Sequence, residues 1–208
     1  WGASADDLTE GTLEDAIYNA GESGSNIGYI KLLADVEEGI YVEGGNFTLD
    51  LNGHTISSEG HTLVIRNQSN VTIVDGSETK SGKVISSGEG SFAVGIINSA
   101  SVTINGGTYK STHLYALYLE GNSSATINGG SYVNSYLPVF IGEGCSATIV
   151  GGTFKYTENS AIRNNGNWTS VYSTGPYASL PEFINNLATK FNCYKVAPAA
   201  QSIHMNGN

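Results

Sequence analysis

The sequence predicts an all-β solenoid, a single-stranded right-handed parallel β-helix of about seven coils with a short capping helix at each end. Three observations predict it. One phrase occurs three times, as Ser101-Val-Thr-Ile-Asn-Gly-Gly-Thr-Tyr109, Ser124-Ala-Thr-Ile-Asn-Gly-Gly-Ser-Tyr132 and Ser146-Ala-Thr-Ile-Val-Gly-Gly-Thr-Phe154. Its isoleucines, Ile104, Ile127 and Ile149, stand 23 and then 22 residues apart, a period in the range of solenoid repeats. Within each phrase apolar and polar residues alternate, which is the two-residue period of a strand, and no repeat unit carries the 3.6-residue period of a helix.

The elements follow in chain order. Thr12-Leu-Glu-Asp15 reads as a capping box that opens a helix over 12–20, with Gly21 as its stop. Leu13, Ala16, Ile17 and Ala20 form one apolar stripe, suited to cover the open end of a solenoid, whose unpaired strand edges invite aggregation. Residues 1–27 are therefore assigned to an N-terminal cap, and Ile30-Lys-Leu-Leu-Ala-Asp-Val36 to the first strand. The coils are expected over 28–174. Each phrase is led by a second apolar strand, Val94-Gly-Ile96, Leu117-Tyr-Leu119 and Val139-Phe-Ile141. The same spacing extends back to Leu63-Val-Ile65 before Ile73, and Leu51 stands 22 residues before Ile73. Ile73 to Ile104 is 31 residues, and the polar stretch Gly76–Gly82 is the expected home of the excess, bulging from one coil. The Gly-Gly pairs and asparagines break the strands by adopting positive φ. A second capping box, Ser179-Leu-Pro-Glu182, with Phe183, Ile184, Leu187 and Phe191 behind it, predicts a C-terminal cap over 175–196. Residues 197–208, beginning Ala197-Pro-Ala-Ala-Gln201, read as a tail or linker to further chain.

Composition bounds function. The 208 residues include 27 glycines, only 13% charged residues and a net charge of −10. That balance argues against nucleic acid, whose phosphates require a basic footprint, and against an anionic membrane surface. No stretch reaches the ~20 apolar residues of a spanning helix. The neutral, Tyr/Ser/Thr/Asn-rich composition suits an exported protein, at the cell surface or secreted, and Trp1 is expected to follow a cleavage site.

The run Leu49-Asp-Leu-Asn-Gly-His-Thr-Ile56, preceded by a helix and the Ile30–Val36 strand, resembles the opening of pectin-lyase-like β-helix domains. With the Thr-Ile-Asn-Gly-Gly-Thr-Tyr repeats, the stretch from about residue 12 to 196 is similar to solenoid domains of bacterial, gut-type, adhesin-like surface proteins. The resemblance implies a non-catalytic extracellular module that mediates adhesion or acts as a spacer. The fold also hosts polysaccharide lyases and glycoside hydrolases, so fold alone does not settle activity.

Candidate site residues lie on the outward positions of the strands led by Val94, Leu117 and Val139. With Val42, Ile65, Ile96, Leu119, Ile141 and Ile162 inward, the residues before them form the ladder Tyr41, Val64, Gly95, Tyr118, Phe140 and Ala161. The residues after them are Glu43, Arg66, Ile97, Glu120, Gly142 and Arg163. Tyr118 and Phe140, beside Glu120 and Arg66, are candidates for stacking on a sugar and hydrogen-bonding its hydroxyls. The plainer reading is cross-strand pairs that stabilise the sheet. A carbohydrate-binding role predicts that Tyr118→Ala abolishes glycan retention without lowering stability. Glu120 and Glu143 are the one pair of carboxylates near this face that could flank a glycosidic bond, weak catalytic candidates because they differ by one position along the strand. Partners are expected to be glycans or a surface protein.

No cofactor or metal is expected: His54, His61, His113 and His204 share no ligand spacing, and Asp75-Gly-Ser-Glu78 reads as a solvated loop. Asp50 is read as architectural. Cys145 and Cys193, the only thiols, could pair and pin the C-terminal segment to the stack. Five matches to the glycosylation sequon, from Asn46 to Asn167, arise readily in an Asn/Ser/Thr-rich repeat. Tyr109, Tyr132 and Phe154 recur in register as a structural aromatic stack.

Overall fold

Three parallel sheets wind into a solenoid of about 5 turns in the computed structural model, which describes residues 1–134, 137–155, 162–164, 193–196 and 203–206. Helix α1 (Leu13–Gly21) and β1 (Tyr29–Lys31) come first. The turns are then β2 (Ile40–Glu43), β3 (Asn46–Asp50) and β4 (Thr55–Ser58); β5 (Leu63–Arg66), β6 (Asn70–Val74) and β7 (Lys83–Ser86); and β8 (Phe92–Ile97), β9 (Ser101–Ile104) and β10 (Thr108–Ser111). They continue with β11 (Tyr115–Glu120), β12 (Ser124–Ile127) and β13 (Ser131–Asn134), then β14 (Leu137–Ile141), β15 (Ser146–Ile149) and β16 (Gly152–Lys155). Strands β17 (Ile162–Asn164), β18 (Cys193–Val196) and β19 (Ile203–Asn206) end the chain.

The first sheet runs β1-β3-β6-β9-β12-β15-β19, the second β4-β7-β10-β13-β16-β18 and the third β2-β5-β8-β11-β14-β17. The turns number about five rather than the expected seven, with β1 and β17 adding only partial turns at the two ends, and β18 and β19 pair antiparallel with β16 and β15. Residues 203–206, within the stretch read as a tail, form that antiparallel edge.

The repeated phrase sets the register of the first sheet. Ser101, Ser124 and Ser146 pair in one row and Ile104, Ile127 and Ile149 in another. Ile73, Leu49 and Ile30 extend the isoleucine row backwards. Leu49 rather than Leu51 therefore stands opposite Ile73. The two-residue shift leaves the inward and outward alternation intact, since side chains on a strand repeat every second residue. Outward, Thr48, Thr72, Thr103, Thr126 and Thr148 align across five strands, the kind of like-on-like cross-strand row that stabilises a sheet.

The core fills the tube between the sheets. Ile73, Ile104, Ile127 and Ile149 from the first sheet meet Val42, Ile65, Ile96, Leu119 and Ile141 from the third, all without measurable exposure. Each such side chain contributes about 1.5–3 kcal/mol by burial. The second sheet supplies Tyr109, Tyr132 and Phe154, stacked at 5.1 and 5.0 Å as the repeat predicts. The buried hydroxyls need acceptors: Tyr109 donates to Gly106 O (2.6 Å) and Tyr132 to Gly129 O (3.0 Å). Gly107, Gly130 and Gly152 turn each corner at φ +87°, +98° and +117°, where a side chain would be strained.

The N-terminal cap forms as its sequence predicts, one residue later at each end. Thr12 Oγ1 accepts from Asp15 N (3.1 Å), and Ala16, Ile17 and Ala20 are buried against the first turn. The C-terminal helix expected at Ser179–Phe191 lies outside the described residues. The excess between Ile73 and Ile104 is mostly in residues 75–82, with the remainder in Ser87–Ser91. The first of these is no loose bulge. Asp75 is buried and accepts from Gly53 N (2.8 Å), Ser77 Oγ (2.7 Å) and Gly82 N (2.6 Å), so its own loop closes over it. Asp50 is as deeply buried and takes donors from Tyr29, Asn52 and Gly76.

Candidate functional site on the third sheet

The outer surface of the third sheet carries the candidate residues in the expected register over five strands. Tyr41 pairs with Val64, Val64 with Gly95, Gly95 with Tyr118 and Tyr118 with Phe140. At the next strand the register departs from expectation. Ile162 pairs with Val139 rather than continuing the row of Ile141, so Arg163 and not Ala161 stands beside Phe140.

The aromatic ladder is longer than Tyr118 and Phe140. Rings stack in the order His61, Phe92, Tyr118, Phe140, with centroids 3.8, 5.2 and 5.3 Å apart. Tyr115 packs against both Tyr118 (5.4 Å) and Phe140 (5.0 Å). Gly95 explains how the ladder crosses a rung with no side chain: a Cβ there would lie 2.3 Å from the Phe92 ring, which covers the glycine. The sequence holds this signal as an aromatic three residues before an in-register glycine, but strand alternation alone does not reveal it. Phe92 N lies 3.4 Å from His61 Nδ1, and burial lowers the His61 pKa.

Beside the ladder lies a groove of about 640 Å3, lined by Tyr118, Phe140, Glu120, Asn122, Glu143 and intervening glycines. Glu120 accepts the Tyr118 hydroxyl, and burial together with that bond pushes the phenol up to about 12. Leu119 pairs with Ile141, so Glu143 stands one position further along its strand than Glu120, at the turn. Asn122, noted in the sequence only as one of the sequon matches, enters the groove because it occupies the corner at φ +60°, a conformation asparagine tolerates better than most residues.

The structure thus brings together Tyr118, Phe140, Glu120 and Glu143 and leaves Arg66 apart. Arg66 lies on β5, two strands before β11, with its guanidinium on Glu43 and 5.5 Å over the Tyr41 ring. Among the described residues the groove lining carries two carboxylates and no basic side chain. It can accept hydrogen bonds from hydroxyls and repels anions. Since the ring faces are largely taken by one another, ring edges rather than open faces meet the groove.

Cys145, at the corner beyond the groove, is buried with a free thiol whose sulfur accepts from Ser123 N (3.3 Å). Burial raises its pKa. The side chain of Cys193 lies outside the described residues. Among the described residues no group of histidine, cysteine or carboxylate side chains is arranged to hold a metal, and no helix is long and apolar enough to cross a membrane.

No protein-family model matches the chain, and no curated protein or solved structure matches it.

Proposed function

We infer that the chain is a non-catalytic extracellular module of an adhesin-like surface protein, related to the pectin-lyase-like β-helices, and that it adheres by holding uncharged glycans in the groove beside the aromatic ladder. The observation that carries this reading is the composition of the groove, in which aromatic edges stand beside Glu120, Glu143 and Asn122 with no basic side chain among the described residues. Carboxylate and amide oxygens accept sugar hydroxyls, and the aromatic edges offer apolar contact to the C–H groups of the ring. The same carboxylates, on a protein of net charge −10, disfavour polyuronates. A binding role also suits the looseness of the pair. Among the described residues only the Tyr118 hydroxyl fixes Glu120, whereas a catalytic pair requires supports that hold both groups in place.

The test is a glycan array with the purified chain, repeated with Glu120→Gln and Glu143→Gln. Tyr118→Ala is a poor control, because Tyr118 stacks on Phe92, Tyr115 and Phe140 and its removal will lower stability as well. Retention of neutral glycans, weakened about tenfold by Glu120→Gln at unchanged melting temperature, is the expected result. Retention confined to acidic glycans, or unaffected by either substitution, removes the groove from the reading. Release of shortened products from a retained glycan, lost in Glu120→Gln, replaces it with a hydrolase.

A further inference from the structure

Among the described residues the third sheet ends at β2 with its outer edge unpaired. Ile40 donates its N–H to Thr62 O (2.7 Å) on the β5 side. In a parallel strand consecutive residues turn their N–H and C=O groups to opposite sides, so those of Tyr41 and Glu43 face away from the stack. The partial turn before β2 supplies β1 to the first sheet and a bridge from Val36 to Ile56 in the second. In the third sheet that turn supplies helix α1 instead of a strand. A helix bonds its own backbone internally and cannot complete a ladder.

Between α1 and β2 lies a cleft of about 530 Å3. Tyr18 and Tyr41 line it and are 69% and 49% exposed. At the Glu43 end the cleft is closed: a Cβ on Gly21 would lie 2.7 Å from Glu43 O. The open edge is thus Gly39–Tyr41, long enough for a strand of about three residues. Glu14, Glu22 and Glu38 line the same cleft, which has no basic residue among the described residues. Glu43 is already engaged by Arg66, whose guanidinium lies over the Tyr41 ring. An incoming cation finds the same pairing of tyrosine and carboxylate at Tyr18, one helical turn from Glu14 and Glu22.

We propose that this cleft docks a short extended basic segment of a partner protein, which adds to β2 as a strand and sets lysine or arginine side chains among Glu14, Glu22 and Glu38. Main-chain pairing supplies affinity and the carboxylates supply selectivity, the division of labour seen in strand addition generally. The site is separate from the groove at Glu120 and Glu143 and does not rest on the glycan-binding reading.

The experiment uses the whole chain and three fluorescent peptides in an anisotropy titration. One alternates lysine and valine, one alternates glutamate and valine, and one is the lysine peptide N-methylated at alternate residues. The lysine peptide is expected to bind and the glutamate peptide not to bind. N-methylation should weaken binding about fivefold by removing a backbone hydrogen bond. The triple variant Glu14→Gln, Glu22→Gln, Glu38→Gln changes only exposed side chains and should weaken it about tenfold at unchanged melting temperature. Absence of binding, equal binding of the acidic peptide, or indifference to N-methylation each overturns the proposal. So does a dimer broken by Tyr41→Lys, which would make a second copy of this chain the occupant.

Discussion

Asp75 ties the inserted loop to the stack through a single carboxylate. Burial works to raise its pKa, but hydrogen bonds from Ser77 Oγ and the N–H groups of Gly82, Gly53 and Ser77 prevail and hold it below the ordinary value. The sign follows from linkage: a carboxyl depressed in the folded state contributes stability above its unfolded pKa of about 3.9, and loses it as pH falls through the folded value. Asp75→Asn turns an amide donor toward backbone donors and should cost about 1–3 kcal/mol at neutral pH. Urea titrations should also show a shallower loss of stability below about pH 4 than in the parent. Gly95 is the second decisive residue. Gly95→Ala places a methyl in the Phe92 ring and should cost about 1–3 kcal/mol, because overpacking forces the whole ladder to shift. Loss of the near-ultraviolet aromatic dichroism with retained far-ultraviolet signal would check it.

Among the elements, the capping helix is the one whose loss is most informative. Thr12 Oγ1 satisfies Asp15 N and also donates to Asp15 Oδ2 (2.7 Å). Thr12→Ala should therefore destabilise α1 by about 1 kcal/mol. Because α1 covers the start of the stack through Ala16, Ile17 and Ala20, the effect should appear as faster hydrogen exchange in β1 and β2 before β11 or β14. Uniform acceleration through the chain would instead mean that the cap and the coils unfold as one unit.

Over the molecule as a whole, each turn touches its neighbours only, so stability is propagated along the axis. Ile127 has no measurable exposure and pairs on both sides, with Ile104 and Ile149. Ile127→Ala should cost about 2–5 kcal/mol. The loss of exchange protection should be largest in β9 and β15, the strands flanking β12, and smallest in β3. A loss equal in β3 and β9 would show a fully cooperative domain.

The repeats from Ser101 to Phe154 determined by themselves the parallel solenoid, the isoleucine row and the Tyr109–Tyr132–Phe154 stack. In-register repetition leaves a chain of this period one way to bury its apolar positions. Thr12 and the stripe behind it likewise announced the N-terminal cap, because capping is local chemistry. The outward residues Tyr118, Phe140 and Glu120 were found by the same alternation and Glu143 by its place one position beyond it, and their meeting in one groove followed from adjacent rungs. Other features required tertiary structure. Leu49 rather than Leu51 faces Ile73 and Arg163 rather than Ala161 stands by Phe140, because corners of unequal length shift register by two without changing which face a side chain takes. Phe92 fills the gap at Gly95, Arg66 is spent on Glu43 and Asp75 draws its loop inward. These are choices among partners brought together only when the coils stack, and a periodic pattern fixes which residues face outward without fixing what each of them meets.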